Sequence, residues 1–268
     1  MTQAGADRDR ADARTRPSGV SADRPGPALA HAYQGTHAAI LAILGALPGD
    51  RLSTVIPACP QWTVRDLTAH MTGVAADTVE GRFPPINPHG TWAERQAVVD
   101  AHTAGQVSSR QTMTMAELLG EWTGHLPRVL AILRGDEPLP PGSMPAHDWV
   151  IVSDIAAHGQ DLRGALDLPG DRQSAAVTLG LQRYIAGLGQ RLDRTGLPAL
   201  LLRTPERDYQ AGSGSPPATV TATAWELFRA LGSRRSTGQI LALPWSGDHR
   251  PYLRLLPAYG PRADDLIE

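Results

Sequence analysis

Cysteine is almost missing from this chain: Cys59 stands alone among 268 residues. That excludes an internal disulfide framework and suits a reducing cytoplasm. A surplus of positive charge is missing too. The formal net charge is -2 and the pI about 6.5, so nothing draws the protein onto phosphates or anionic lipid, and neither nucleic acid nor a membrane surface is an expected partner. No apolar run is long enough to span a bilayer, and the first residues contain no apolar signal core, which predicts an unexported, cytoplasmic protein. Lysine is absent altogether. All 25 basic residues are arginine, which with the many alanines suggests a GC-rich genome. Residues 1–27 hold no Leu, Ile, Phe, Trp or Tyr and interleave Asp with Arg. Such a segment buries too little apolar surface to offset the entropy of ordering, and is expected to be a disordered tail.

Beyond this segment, helical patterning dominates. Leu29, Ala32, Ile40, Ile43, Leu44 and Leu47 recur near helical spacing in a first helix. The second opens at Thr63, with Asp66 three residues on, a capping box, and continues along a stripe of Val64, Leu67, Met71, Val74 and Val79 that His70 borders. Thr91 with Glu94 and Thr114 with Glu117 open two more helices, the latter carrying a kink at Pro127. A fifth helix is expected over 146–166 and a sixth over about 173–195. The texture then changes. "PALLLRT", "ATVTAT" and "GQILALPW" read as strands and "AWELFRALGSRR" as a helix. The expected architecture is α+β: a helical bundle over 28–170, then a small α/β domain over 171–268.

Within the fifth helix, "SDIAAHGQD" (153–161) puts Asp154 and His158 four residues apart on one face, with Asp161 one turn later. If the second helix packs against the fifth, His70 adds a third group. Two imidazoles and a carboxylate, with positions left for water or substrate, make the composition of a catalytic divalent-metal site. A structural zinc would require a closed fourth ligand, for which Cys59 is the available thiol. Spacing alone equally allows an intrahelical hydrogen bond or a solvated edge for Asp154 and His158, and a core role for His70. Trp62 reads as a hydrophobic staple before the cap, and His147, seven residues before Asp154, as a border of the site mouth.

"VIPACPQWTVRDLTAHM" (55–71) and "SDIAAHGQDLRGAL" (153–166) resemble the two signature segments of the maleylpyruvate isomerase-like, mycothiol-dependent family of actinobacterial proteins, relatives of the DinB-like metal-binding bundles. The likeness covers about residues 28–170. It implies a DinB-like up-down bundle and a divalent metal, usually zinc, on His70, Asp154 and His158. Asp161 would then accept the free N–H of a ligating imidazole, or else stand on the helix surface near Arg163. The mycothiol-dependent isomerase has Glu where this chain has Asp154, which is shorter by one methylene and must sit closer to the metal or ligate through water. Cys59 has its counterpart there without a recognised catalytic duty, so packing is preferred for it over a nucleophile at a helix start. Residues from 218 onward look like the small C-terminal α/β domain of such proteins, related in shape to sterol-carrier modules. Arg163, Arg234 and Arg235 are candidates to meet a carboxylate of substrate or thiol, with a solvated turn the alternative for the last two.

The resemblance implies an enzyme in which a divalent metal activates a low-molecular-weight thiol such as mycothiol for addition to an electrophilic small molecule, giving isomerisation or S-transfer. Metal-activated water, in a hydrolase or lyase of a biosynthetic pathway, is a variant. A non-catalytic metal- or ligand-binding protein is the alternative of another class.

Overall fold

The capping boxes at Thr63 and Thr114 both close: each threonine hydroxyl accepts the backbone N–H of Asp66 or Glu117, and that acid's carboxylate accepts the threonine N–H. Local chemistry thus fixes two helix starts in the bundle. The computed structural model describes residues 25–85, 92–144 and 146–268. Helix α1 spans Gly26–Ala46, so order begins within the span expected to be tail; residues 1–24 lie outside the described residues. After a 3-10 turn, strands β1 (Val55–Ile56) and β2 (Cys59–Thr63) form a short antiparallel hairpin that delivers the chain to α2 (Val64–Glu80). Helices α3 (Trp92–Ser108), α4 (Met115–Arg134) and α5 (His147–Ala165) complete the bundle. Thr91, the expected cap of α3, lies outside the described residues; α4 runs on through Pro127.

Helix α2 packs against α3, α4 and α5, and α1 against α4 and α5. Leu67 and Met71 of α2 and Ile151, Ile155 and Leu162 of α5 are buried in the shared core, which sets the two site-bearing helices side by side. Helix α6 (Ala175–Thr195) is the hinge of the architecture, packing on α5 and α1 on one side and on the C-terminal unit on the other. That unit holds β3 (Leu200–Arg203), β4 (Asp208–Ala211), β5 (Ala218–Thr221), α7 (Ala224–Leu231), α8 (Thr237–Leu241) and β6 (Trp245–Ser246). Its sheet has the order β4-β3-β5-β6, with β3 and β5 parallel and the other neighbours antiparallel.

The structure corrects one of the expected strands. "GQILALPW", expected as a strand, begins in α8, because Ser236 and Gln239 form a third capping box; the strand is only Trp245–Ser246. Among the described residues, no helix is long and apolar enough to cross a membrane.

Candidate metal centre

Packing α2 against α5 brings His70, Asp154 and His158 together, with one donor atom from each lying within 4.8 Å of the others. Both imidazoles are buried, at 3% and 7% exposure. Their rings meet edge to face at 4.9 Å, and Trp62 lies over His70 at 4.7 Å between ring centroids and 6.0 Å from His158. Asp154 alone of the three keeps an open side, its side chain 28% exposed. Its Oδ1 stands 3.6 Å from Nε2 of His158 and its Oδ2 3.9 Å from Nε2 of His70. Those gaps are too wide for hydrogen bonds, yet they suit groups sharing a cation bound at about 2 Å from each.

The partners of the other ring nitrogens decide what the Nε2 atoms offer. Gln106, on α3, donates its amide N–H to Asp77 Oδ2 at 2.6 Å, so its Oε1 must face His70 Nδ1, 2.8 Å away. That oxygen only accepts, which places the proton on Nδ1 and a lone pair on Nε2. Asp77 is itself held by Arg82 Nε at 2.9 Å and by His102 at 2.9 Å. The close approach of α3 depends on Gly73: a Cβ there would stand 2.6 Å from Gln106 Cβ.

His158 is braced differently. Its Nδ1 lies 3.0 Å from Asp161 Oδ2, and Asp161 is clamped by Arg229 at 2.6 Å and Arg234 at 2.7 Å. Burial would raise the Asp161 carboxyl, but the two guanidiniums and the imidazole overcome it and hold the group well below the usual range. An ionised carboxylate only accepts, so here too the proton sits on Nδ1 and Nε2 is free. Arg229 also donates to the Ala157 carbonyl and pairs with Glu268, which pairs in turn with Arg235. Burial works against ionisation of Asp154 as well, yet His158 and His70, with Arg234, bring its carboxyl down to about 2. Two imidazoles and a carboxylate, each oriented by partners behind it, make a donor set that fits a divalent cation.

Asp161 is therefore no surface carboxylate near Arg163: it is buried, with Arg229 and Arg234 as its partners. Of the three candidate arginines, Arg234 is committed to Asp161, Arg235 to Glu226 and Glu268, and Arg163 lines a different cleft with Arg172 and Trp225. Cys59 Sγ lies 3.8 Å from both Asp161 Oδ2 and Arg234 Nη2. Burial, aided by Asp161, pushes its thiol up to about 12 despite the two arginines, so it stays protonated. His147 is buried against Phe83 and Thr78. The sequence reading missed Gln106, Arg229 and Glu268, and placed Trp62 at the cap without its stacking on His70.

Residues 33–163 match the family model described as the Mycothiol maleylpyruvate isomerase N-terminal domain. Among solved structures, a histidine-to-alanine mutant of the mycothiol-dependent maleylpyruvate isomerase is similar in fold, with a TM-score of 0.51 and 15% identity over 84% of this chain and 94% of that one. Another crystal structure of the mycothiol-dependent maleylpyruvate isomerase gives a TM-score of 0.42 and 13% identity over 78% of this chain and 90% of that one. No curated protein matches the sequence.

Proposed function

We propose that the chain, whose residues 33–163 match the Mycothiol maleylpyruvate isomerase N-terminal domain, is a divalent-metal-dependent enzyme acting on an electrophilic small molecule with a low-molecular-weight thiol, mycothiol in the family's case. The reaction proposed is isomerisation of maleylpyruvate type. The observation that carries the reading is the convergence of two imidazole Nε2 atoms and Asp154, each Nδ1 proton held by a fixed acceptor and one side of the carboxylate left open.

His70, Asp154 and His158 would hold the cation, zinc by the composition of the donors. A divalent cation there supplies the acidity that makes thiolate available near neutral pH. The chain's own residues do the rest. Gln106 and Asp161 keep the imidazole protons on Nδ1 and the rings aimed. Trp62 covers His70, so that face is closed to water. Asp154 marks the side from which thiol and substrate enter. The shorter Asp, in place of the isomerase's Glu, reaches both imidazoles with separate oxygens, which supports direct ligation.

Elemental analysis of untagged protein purified without chelator tests the reading. About one equivalent of zinc in the wild type, lost in His70→Ala and His158→Ala with the circular dichroism spectrum unchanged, is the expected result. Wild-type protein that takes up no divalent metal even on reconstitution overturns it.

A further inference from the structure

A cleft of about 430 Å³ opens between the first turns of α5, the middle of α6 and the loop at Ala258–Tyr259. Its lining includes Trp149, Tyr184, Arg183 and Arg191, and no Asp or Glu. The two arginines stand two turns apart on α6, and among the described residues neither guanidinium pairs with a carboxylate. Arg191 donates to the backbone carbonyls of Leu255 and Leu256, while Arg183 lies over the Tyr184 ring at 5.4 Å. Most arginines near the metal centre are neutralised, as Asp161, Glu226 and Glu268 show. Here two half-buried positive charges face one hollow without an anion, beside aromatic surface. Guanidinium forks match carboxylates in just this setting.

Val150, on α5, lines the cleft beside Ala146, the residue before the helix, and Asp154 follows Val150 by four residues, about 6 Å further along α5. Tyr184, in the cleft wall, is buried and lies in the fields of both Asp154 and Arg234. We infer that this cleft seats the carboxylate of a small substrate on Arg183 and Arg191, its unsaturated or aromatic body against Trp149 and Tyr184, with the reacting end directed along α5 toward Asp154. The inference rests on the proposed metal-dependent reading for what happens at that end, but binding in the cleft needs no metal.

Titration calorimetry with benzoate and its uncharged counterpart benzamide, on the full chain, provides the test. Benzoate should bind at least tenfold more tightly than benzamide and weaken as salt rises. Arg183→Gln should lose about tenfold in benzoate affinity, Arg183→Lys should keep most of it, and His70→Ala, stripped of metal, should bind like the wild type. Equal affinity for the two probes, or unchanged benzoate binding in Arg183→Gln, overturns the inference. So does loss of binding in His70→Ala, which would put benzoate on the metal. Failure of the metal reading shows separately, as absence of metal from wild-type protein that still binds benzoate.

Discussion

The two imidazoles of the candidate metal centre are held by two different regions of the molecule and by two different kinds of force. His70 is braced inside the bundle by a neutral amide, Gln106, backed by the buried Asp77, which His102 and Arg82 hold in turn. His158 is braced from the C-terminal unit by buried ions: Asp161 between Arg229 and Arg234, with Glu268 behind. A neutral brace costs little to bury and loses little when cut. An ionic one is expensive to assemble, and cutting one partner strands the others' charge. The family match ends at residue 163, yet half of the scaffolding of the site comes from residues 229–268. The bundle carries the proposed ligands and their immediate partners, Gln106 and Asp161, while the charges that clamp Asp161 come from beyond it.

The sharpest way to break this contrast is Asp161→Asn. It leaves Arg229 and Arg234 buried without their shared counter-charge, and should cost about 3–5 kcal/mol in denaturant unfolding; adding Arg234→Gln should return part of the loss. If Asp161→Asn cost no more than removal of Gln106, the distinction between the braces would disappear.

Acid titration separates the carboxylates of the site from the rest of the molecule. Asp161 and Asp154 have depressed carboxyls, so their stabilisation is present above the ordinary carboxylate range and is lost only as pH falls through it toward their lowered values. His37 behaves otherwise. Burial against Trp122, with Nε2 unpaired, lowers its pKa from 6.5 to about 4. A lowered histidine pKa means the unfolded chain binds the proton first, so stability is full above 6.5 and declines between 6.5 and 4, by about 3 kcal/mol for a shift of this size. His37→Leu should flatten most of that decline, with a smaller share left to His147, also lowered by burial. An undiminished decline in His37→Leu would show that His37 does not carry it.

The smallest effect in stability belongs to Gln106→Leu. It should cost about 1–3 kcal/mol by leaving Asp77 and His70 Nδ1 without their amide, and lower zinc affinity about 10–100-fold in a chelator competition assay. An unchanged zinc affinity would mean that His70 needs no brace.

Much of the architecture was legible because it is local. The boxes at Thr63 and Thr114 depend on side chains three residues from the backbone they cap, and Asp154 with His158 is a matter of helix period. The same logic was available at Ser236 and Gln239 and was masked by the branched and aromatic residues of "GQILALPW". Strand β4 was missed because Asp208–Ala211 has little β character and is made by pairing with β3. Gln106, Arg229 and Glu268 were invisible for a further reason: glutamine, arginine and glutamate acquire roles here only through which helix face meets which neighbour. Gly73 was the one sequence trace of that meeting, and it becomes meaningful only once α3 is seen against it.

The pairing of Arg229 with Glu268 also sets an order in time. Synthesised from the N-terminus, the chain can close the His70 brace once residue 106 has emerged, whereas the His158 brace must wait for residue 268, ~10–30 s later at ordinary elongation rates. Through that interval Asp161 stands beside His158 without the charges that clamp it, and the second brace is complete only when Glu268 arrives.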